Sequence, residues 1–197
     1  MIYLIYMAAG NASRFGQNKL LARLKGRPLY RYGLDALCAA ARPRRDCRIL
    51  VVSRTEEILV DARARGCTPV ESPASEQGMS YTIRAGIRAA GPLAAGDYLM
   101  FIPADQPGLT VSAVEKMLAA ADAGCFAATA MYAGQAGSPG LFSACLAPEL
   151  CALQGDCGGR RVLNRYPDRV TCVLLDSPRE LADIDTPAAL ALAEQNQ

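Results

Sequence analysis

The sequence contains no histidine. Without an imidazole there is no Ser-His-Asp arrangement, nothing to activate a cysteine as His does, and no zinc site of the usual mixed kind. CxxC pairs are missing too, although there are eight cysteines, at 38, 47, 67, 125, 145, 151, 157 and 172. They are expected to be mostly reduced, mostly buried small apolar residues. No window reaches the roughly 20 apolar residues that a membrane helix needs. The first apolar run breaks at Gly10 with no basic lead and no cleavage site, so the expected location is the cytoplasm. A formal net charge of +2 is too small to argue for a nucleic-acid or membrane partner, and tyrosines and cations do not interleave along a basic stripe. Repeats, low-complexity segments and linkers are also lacking, which leaves one domain over residues 1–197 as the expectation.

What is present is an ordinary globular balance, 51% hydrophobic and 20% charged residues. Tyr3 to Met7 reads as a strand buried on both faces. Pro28 suits the first turn of a helix to about Ala41, Ile49 to Val52 is a second strand, and Thr55 caps a helix from Glu56 to Arg65. A short strand at Thr68 to Val70, a helix from Met79 or Ser80 to Ala90, and the apolar strand Tyr98 to Ile102 follow. Thr110 caps a further helix to about Ala121. Cys125 to Ala130 is a strand, 133–139 a loop, and short helices are expected near Leu141 to Leu146 and Gly159 to Arg165. Val170 to Leu175 and a helix from Pro187 to Glu194 close the chain. Successive βα units predict a three-layer, Rossmann-like α/β fold with five or six parallel strands and room for an antiparallel edge strand.

Ligands of such sheets sit beyond the carboxyl ends of the strands. The first strand breaks there into Ala8, Ala9 and Gly10 and then delivers Arg14, Gly16 and Lys19. From Asn11 to Leu34 there are six cations and no acid. Small residues admit a ligand to the backbone and the cations neutralise an anion, so this reads as a phosphate loop, although it has neither GxGxxG nor GxxxxGK[ST]. The alternative is a tight turn with surface cations.

Asp105 ends the most apolar strand, where it either holds a cation or starts the turn to the next helix. Asp183 and Asp185 lie past the last strand and are read as facing opposite ways, so that one of them points at a shared metal, Asp185 ahead of Asp183. Gln77, Gly78 and Ser80 open a helix whose free amides favour an anion. Arg84 and Arg88 are read as solvated, Ser53 as a residue that could contact a nucleotide base, and Asp156 and Arg160 as an ion pair or a substrate contact.

The stretch Ala8 to Lys19, with Asn11-Ala12-Ser13-Arg14-Phe15-Gly16 in its middle, resembles the AAGxSxRFGxxK signature of small nucleotidyltransferases of the MobA/MocA-like kind. Ala9 is similar to the molybdenum-cofactor cytidylyltransferase branch. Asp105-Gln106-Pro107 resembles the DQP segment, Asp183-Ile184-Asp185-Thr186-Pro187 the DIDTP motif, and 77–80 the start of QGxSxSIxxG, with Tyr81-Thr82 where a second Ser is common. Residues 137–142 and 155–160 resemble GxPxxF and GDxGxR, associated with the acceptor side of the cleft.

The resemblance implies Mg²⁺ on Asp105 and Asp185, CTP as the donor, a phosphorylated pterin (molybdopterin or its molybdenum-loaded form) as the acceptor, and a molybdenum hydroxylase or its accessory protein as partner. Arg14 and Lys19 would neutralise the triphosphate, and no histidine is needed because a phosphate monoester is already ionised at neutral pH. Guanylyl transfer to the same pterin and transfer to a sugar or polyol phosphate are the enzyme alternatives. A non-catalytic nucleotide-binding or cofactor-delivery protein is the alternative of another class.

Overall fold

The computed structural model describes residues 1–10 and 18–195. Its elements are β1 (Ile2–Ala8), the two-residue strands β2 (Arg23–Leu24) and β3 (Arg27–Pro28), α1 (Tyr30–Ala41), β4 (Cys47–Ser53), α2 (Glu56–Ala64), β5 (Thr68–Glu71), α3 (Met79–Ala90), β6 (Tyr98–Pro103), α4 (Val111–Asp122), β7 (Ala127–Tyr132), β8 (Gln135–Ser143), α5 (Ala147–Cys151), α6 (Arg160–Leu163), β9 (Val170–Leu174) and α7 (Pro187–Gln195). Seven strands form one sheet in the order β5-β4-β1-β6-β8-β7-β9. All neighbours are parallel except across β8, which runs antiparallel to both β6 and β7.

β1 shows why the sheet carries helices on both faces. Residues two apart share a face: Ile2, Leu4, Tyr6 and Ala8 join a core with Leu34 and Leu37 of α1, Ile58 of α2 and Val114 of α4, while Tyr3 and Ile5 join a second core with Ile83 of α3, Leu150 of α5 and Val162 of α6. Two glycines bring helices close to this strand. A Cβ on Gly33 would stand 2.8 Å from the Tyr6 hydroxyl, and one on Gly86 would stand 2.5 Å from Ile5 Cγ2. Tyr6 then donates to the Tyr30 carbonyl at 2.6 Å, pinning α1 over the middle of the sheet.

The structure departs from expectation in the segment 133–143. In place of a loop and a short helix there is the strand β8, and the antiparallel member lies inside the sheet rather than at its edge. Its glycines and Pro139 argue against a strand locally. Pairing on both sides overrides that, and a register shift opposite Thr129 and Ala130 leaves Ser138 and Pro139 out of the ladder, where a missing N–H costs nothing. Pro28 lies in β3 opposite Arg23 rather than in a helical first turn. The cysteines are all free, but only Cys67 is buried, and Cys145, Cys151 and Cys172 are exposed. Among the described residues no helix is long and apolar enough to cross a membrane.

Candidate active site

Parallel pairing brings the carboxyl ends of β1, β4 and β6 to one rim, with Ala8 opposite Ser53 and Met7 opposite Pro103. Ala8 and Ala9 are buried there. Gly10 is exposed, and a Cβ at that position would meet nothing described within 4 Å, so the backbone is open to approach. Arg14 and the rest of the 11–17 stretch lie outside the described residues.

The chain returns to the rim at Lys19, the first residue of a single 3-10 turn. Asn18 caps it, accepting from the Leu20 amide at 3.1 Å, and donates to Thr55 Oγ1 at 2.7 Å, while Leu20 is buried. Thr55 thus occupies the N-cap position of α2, but its hydroxyl serves Asn18 instead of the helix. With its backbone fixed in this way, Lys19 donates from Nζ to Asp105 Oδ2 at 2.6 Å and to Asp185 Oδ1 at 2.8 Å. Burial alone would depress this ammonium's pKa. The opposing carboxylates outweigh it and hold the pKa above its ordinary value, so Lys19 is a cation throughout the neutral range.

The segment that carries Asp185 is tied to the Asp105 turn. The Ile184 amide donates to the Asp105 carbonyl at 2.9 Å, and the Ile184 side chain is buried with Leu24 and Leu29. Gln106, 3% exposed, donates to the Leu181 carbonyl at 3.4 Å and lowers the Asp183 pKa against larger opposing effects, while its Oε1 is buried without a partner. Asp183 and Asp185 do not face opposite ways. Residues two apart in an extended segment share a face, and the Asp183 carboxyl senses the charges of both Asp105 and Asp185. Loss of solvent around it, and then the Asp105 charge, raise its pKa above the ordinary carboxylate value, although the residue as a whole stays exposed.

Among the described residues no three acids, cysteines or histidines gather as a protein-only metal cage would require. Two carboxylates suit Mg²⁺ or Mn²⁺ nonetheless, because such ions take oxygen ligands and fill the remaining positions with phosphate and water. The donor chemistry therefore fits a hard divalent cation shared with a phosphorylated substrate.

Other expected contacts are placed differently. Ser53 is fully buried, and its hydroxyl donates to the Ala8 carbonyl at 2.9 Å and accepts from the Thr55 amide at 3.0 Å. It therefore joins β1 to α2 and offers no free hydroxyl to a base. The amides opening α3 are also taken. Met79 donates to Asp156 Oδ1 at 3.2 Å, Ser80 to the Gly155 carbonyl at 3.1 Å and Tyr81 to the Gly78 carbonyl at 3.1 Å.

Gly78, at φ +129°, presses so closely on Gly155 that a Cβ would stand 2.4 Å from its carbonyl carbon. The 155–156 loop, rather than an anion, thus caps this helix. Gln77 is exposed beside it, and the Ser80 hydroxyl is buried without a partner. Among the described residues Asp156 and Arg160 form no ion pair. Arg84 is not solvated either, since it donates to the Leu153 carbonyl and lies 4.3 Å from the Tyr81 ring centre. Two supporting residues were unassigned from sequence, Asn18 and Gln106. An Asn directly before a short turn is the signal that could have found the first.

Comparison with known proteins puts these strand ends in context. A family model described as the MobA-like NTP transferase domain matches residues 4–170, most of the chain. The chain belongs to this family. It is similar to the purine catabolism protein PucB of Bacillus subtilis (strain 168), at 32% identity over 196 residues, with 93% of this chain and 91% of the relative covered. Its fold is similar to that of a nucleotidyl transferase from Methanothermobacter thermautotroptrophicus (TM-score 0.79, 20% identity, 99% and 96% covered) and to that of Rv0371c from Mycobacterium tuberculosis H37Rv in complex with manganese (TM-score 0.76, 19% identity, 100% and 99% covered). As a MobA-like nucleotidyltransferase it takes a nucleoside triphosphate as substrate.

Proposed function

We propose that this nucleotidyltransferase moves CMP from CTP to the phosphate of molybdopterin or its molybdenum-loaded form and releases pyrophosphate. The observation that carries the catalytic part is the meeting of Lys19, Asp105 and Asp185 at the ends of β1 and β6. The choice of CTP and of a pterin rests on the resemblance of the Ala8 to Lys19 segment to the cytidylyltransferase branch. PucB, a purine catabolism protein by name, supports seeking the client among purine-oxidising molybdenum hydroxylases.

Asp105 and Asp185 would hold Mg²⁺, which when bound neutralises charge on the phosphate oxygens. Lys19 and Arg14 bind the triphosphate and take up the charge that develops as the pyrophosphate oxygen leaves the α-phosphorus. Ala8, Ala9 and Gly10 let the backbone follow the phosphates closely. Gln77 and Gly78 border the nucleotide side, and the 155–160 loop that packs on Gly78 borders the acceptor side. The acceptor phosphate needs no side chain as base, since its second pKa near 6 leaves it ionised at neutral pH. The protein's part is then positioning and charge neutralisation, which agrees with a sequence lacking histidine.

The test is pyrophosphate release by the purified protein with Mg²⁺ and each of the four ribonucleoside triphosphates, with and without molybdopterin. CTP-selective release that requires the pterin is the expected result. Release with GTP instead would move the assignment to guanylyl transfer. Release only with a sugar or polyol phosphate would overturn the pterin, and nucleotide binding without release for any acceptor would favour a delivery protein.

A further inference from the structure

We propose that the Lys19 ammonium is a placeholder for the divalent cation: it holds Asp105 and Asp185 together in the free protein and leaves them for the triphosphate when nucleotide and cation enter. The inference rests on the reading above, in which these two carboxylates hold the metal.

The geometry supports exchange rather than a permanent bridge. Lys19 Nζ stands 2.6 Å from one carboxylate and 2.8 Å from the other, so it occupies the position from which a cation could bridge them. Its backbone is fixed by the Asn18 cap and the buried Leu20 side chain. Exchange therefore needs only rotation of a flexible four-carbon side chain, with no movement of the main chain. Asp185 keeps 56% of its side chain exposed and Asp105 only 20%, so one carboxylate is free to readjust around a new partner while the other is held.

Charge balance decides the direction. Lys19 Nζ faces two carboxylates, Asp105 and Asp185, directly. A pair of carboxylates attracts a divalent ion, but entry must break two charge-assisted hydrogen bonds of a lysine whose side chain is only 12% exposed. An ammonium displaced inside the site needs a new anion, and the triphosphate provides it. Cation and triphosphate then help each other bind, and the cation alone binds weakly. An enzyme built in this way keeps its acidic residues apart from the metal until the substrate arrives.

The experiment titrates Mn²⁺ into the full chain without nucleotide, reading free Mn²⁺ by its electron paramagnetic resonance signal, for wild type, Lys19→Met, Lys19→Arg and the Lys19→Met/Asp105→Asn double variant. Lys19→Met is expected to bind Mn²⁺ at least about tenfold more tightly than wild type. Lys19→Arg, which keeps a cation there, stays weak, and the double variant loses the gain. Thermal melting with and without Mn²⁺ reads the same ranking in the folded protein, with the largest rise for Lys19→Met. Equal or weaker Mn²⁺ binding by a folded Lys19→Met overturns the proposal, as does a gain that survives Asp105→Asn. Because no nucleotide or pterin is present, these outcomes are separate from a failure of the CTP or pterin assignment, which pyrophosphate release reads in wild type.

Discussion

Between α1 and α2, Asp61 accepts from Tyr30 at 3.0 Å, from Arg31 at 3.1 Å and from Arg65 at 2.9 Å, and Asp35 pairs with Arg27 and Arg65. Three guanidiniums there face two carboxylates, and every acid is surrounded by donors. At the end of β6 the balance is reversed. Among the described residues one ammonium serves Asp105 and Asp185 directly, and Asp183 stands beside them with its pKa raised. Both regions are made from the same kinds of residue, yet the first is complete as it stands, and in the second the described residues set one ammonium against two carboxylates. The contrast teaches that a cluster of ions is informative through its deficit: a satisfied network stabilises, whereas a site short of positive charge is poised for a cationic ligand.

The sharpest way to break the comparison is to remove one acid from each region. Asp105→Asn should lower the rate of pyrophosphate release by about 10²–10³ while leaving the melting temperature near that of wild type, because it takes away a cation-binding charge while Lys19 keeps Asp185 as its partner. Asp61→Asn should do the opposite, costing about 1–3 kcal/mol in chemical denaturation and leaving turnover per folded molecule unchanged. Burial pushes the Asp61 carboxyl up, but Tyr30, Arg65 and Arg31 more than offset this and hold its pKa below the ordinary value. Its stabilisation is thus present above the unfolded pKa of about 4 and fades as the pH falls through the lower folded value. Acid unfolding of wild type below about pH 4 should therefore be steeper than that of Asp61→Asn. Equal loss of activity from both substitutions would erase the distinction between the regions.

Asp183→Asn tests the deficit from the other side. Its folded pKa is raised, first by loss of solvent and then by Asp105, so the ionised form is held at a disadvantage in the folded protein. Any stability linked to its proton is complete below the unfolded pKa and is lost as pH rises through the folded value. At neutral pH the amide should therefore raise stability slightly, by less than about 1 kcal/mol because the residue is exposed, and the melting temperature with it. Turnover should fall at the same time, a stability gain set against function. A lower melting temperature would mean that the stabilisation of the Asp183 carboxylate by Gln106 outweighs the repulsion.

How much of this was legible in the sequence follows from the range of the forces involved. The strands β1, β4 and β6 could be read because continuous apolar runs demand burial on both faces, whereas position alone left Lys19 and Asp105 as turn residues or ligand contacts, and only the resemblance to AAGxSxRFGxxK and DQP singled them out. β8 could not, since its place is set by two neighbours and its own glycines and Pro139 argue for a loop. Ser53 and Ser80 are more enclosed than their positions in the sequence suggest, for a similar reason. A hydroxyl at a strand end or helix start looks available until the Ala8 carbonyl, the Thr55 amide or the 155–156 loop is seen to enclose it. The joint orientation of Asp183 and Asp185 needed only the two-residue period of extended chain, and was within reach of the sequence.

The smallest effect concerns a pair of cysteines outside both regions. Cys38 Sγ lies 3.7 Å from Cys67 Sγ, and this hydrogen bond, with help from Arg65 and Arg42 against the opposing effect of burial, brings the Cys38 pKa down to about 7, while burial pushes Cys47 up to about 11. Alkylation by iodoacetamide followed by mass mapping should find Cys38 modified ahead of Cys47, with a rate that climbs between about pH 6 and pH 8, because the thiolate is the reactive form. The paired Cys67 moves the other way and should react last of the three. Cys67→Ala would remove the donor to the thiolate and shift the Cys38 profile to higher pH, with turnover unchanged because neither sulfur touches Lys19 or Asp105. A profile that stays in place would assign the lowered pKa to Arg65 and Arg42 alone, and would extend to this pair the rule seen between α1 and α2, that arginines here complete what they surround.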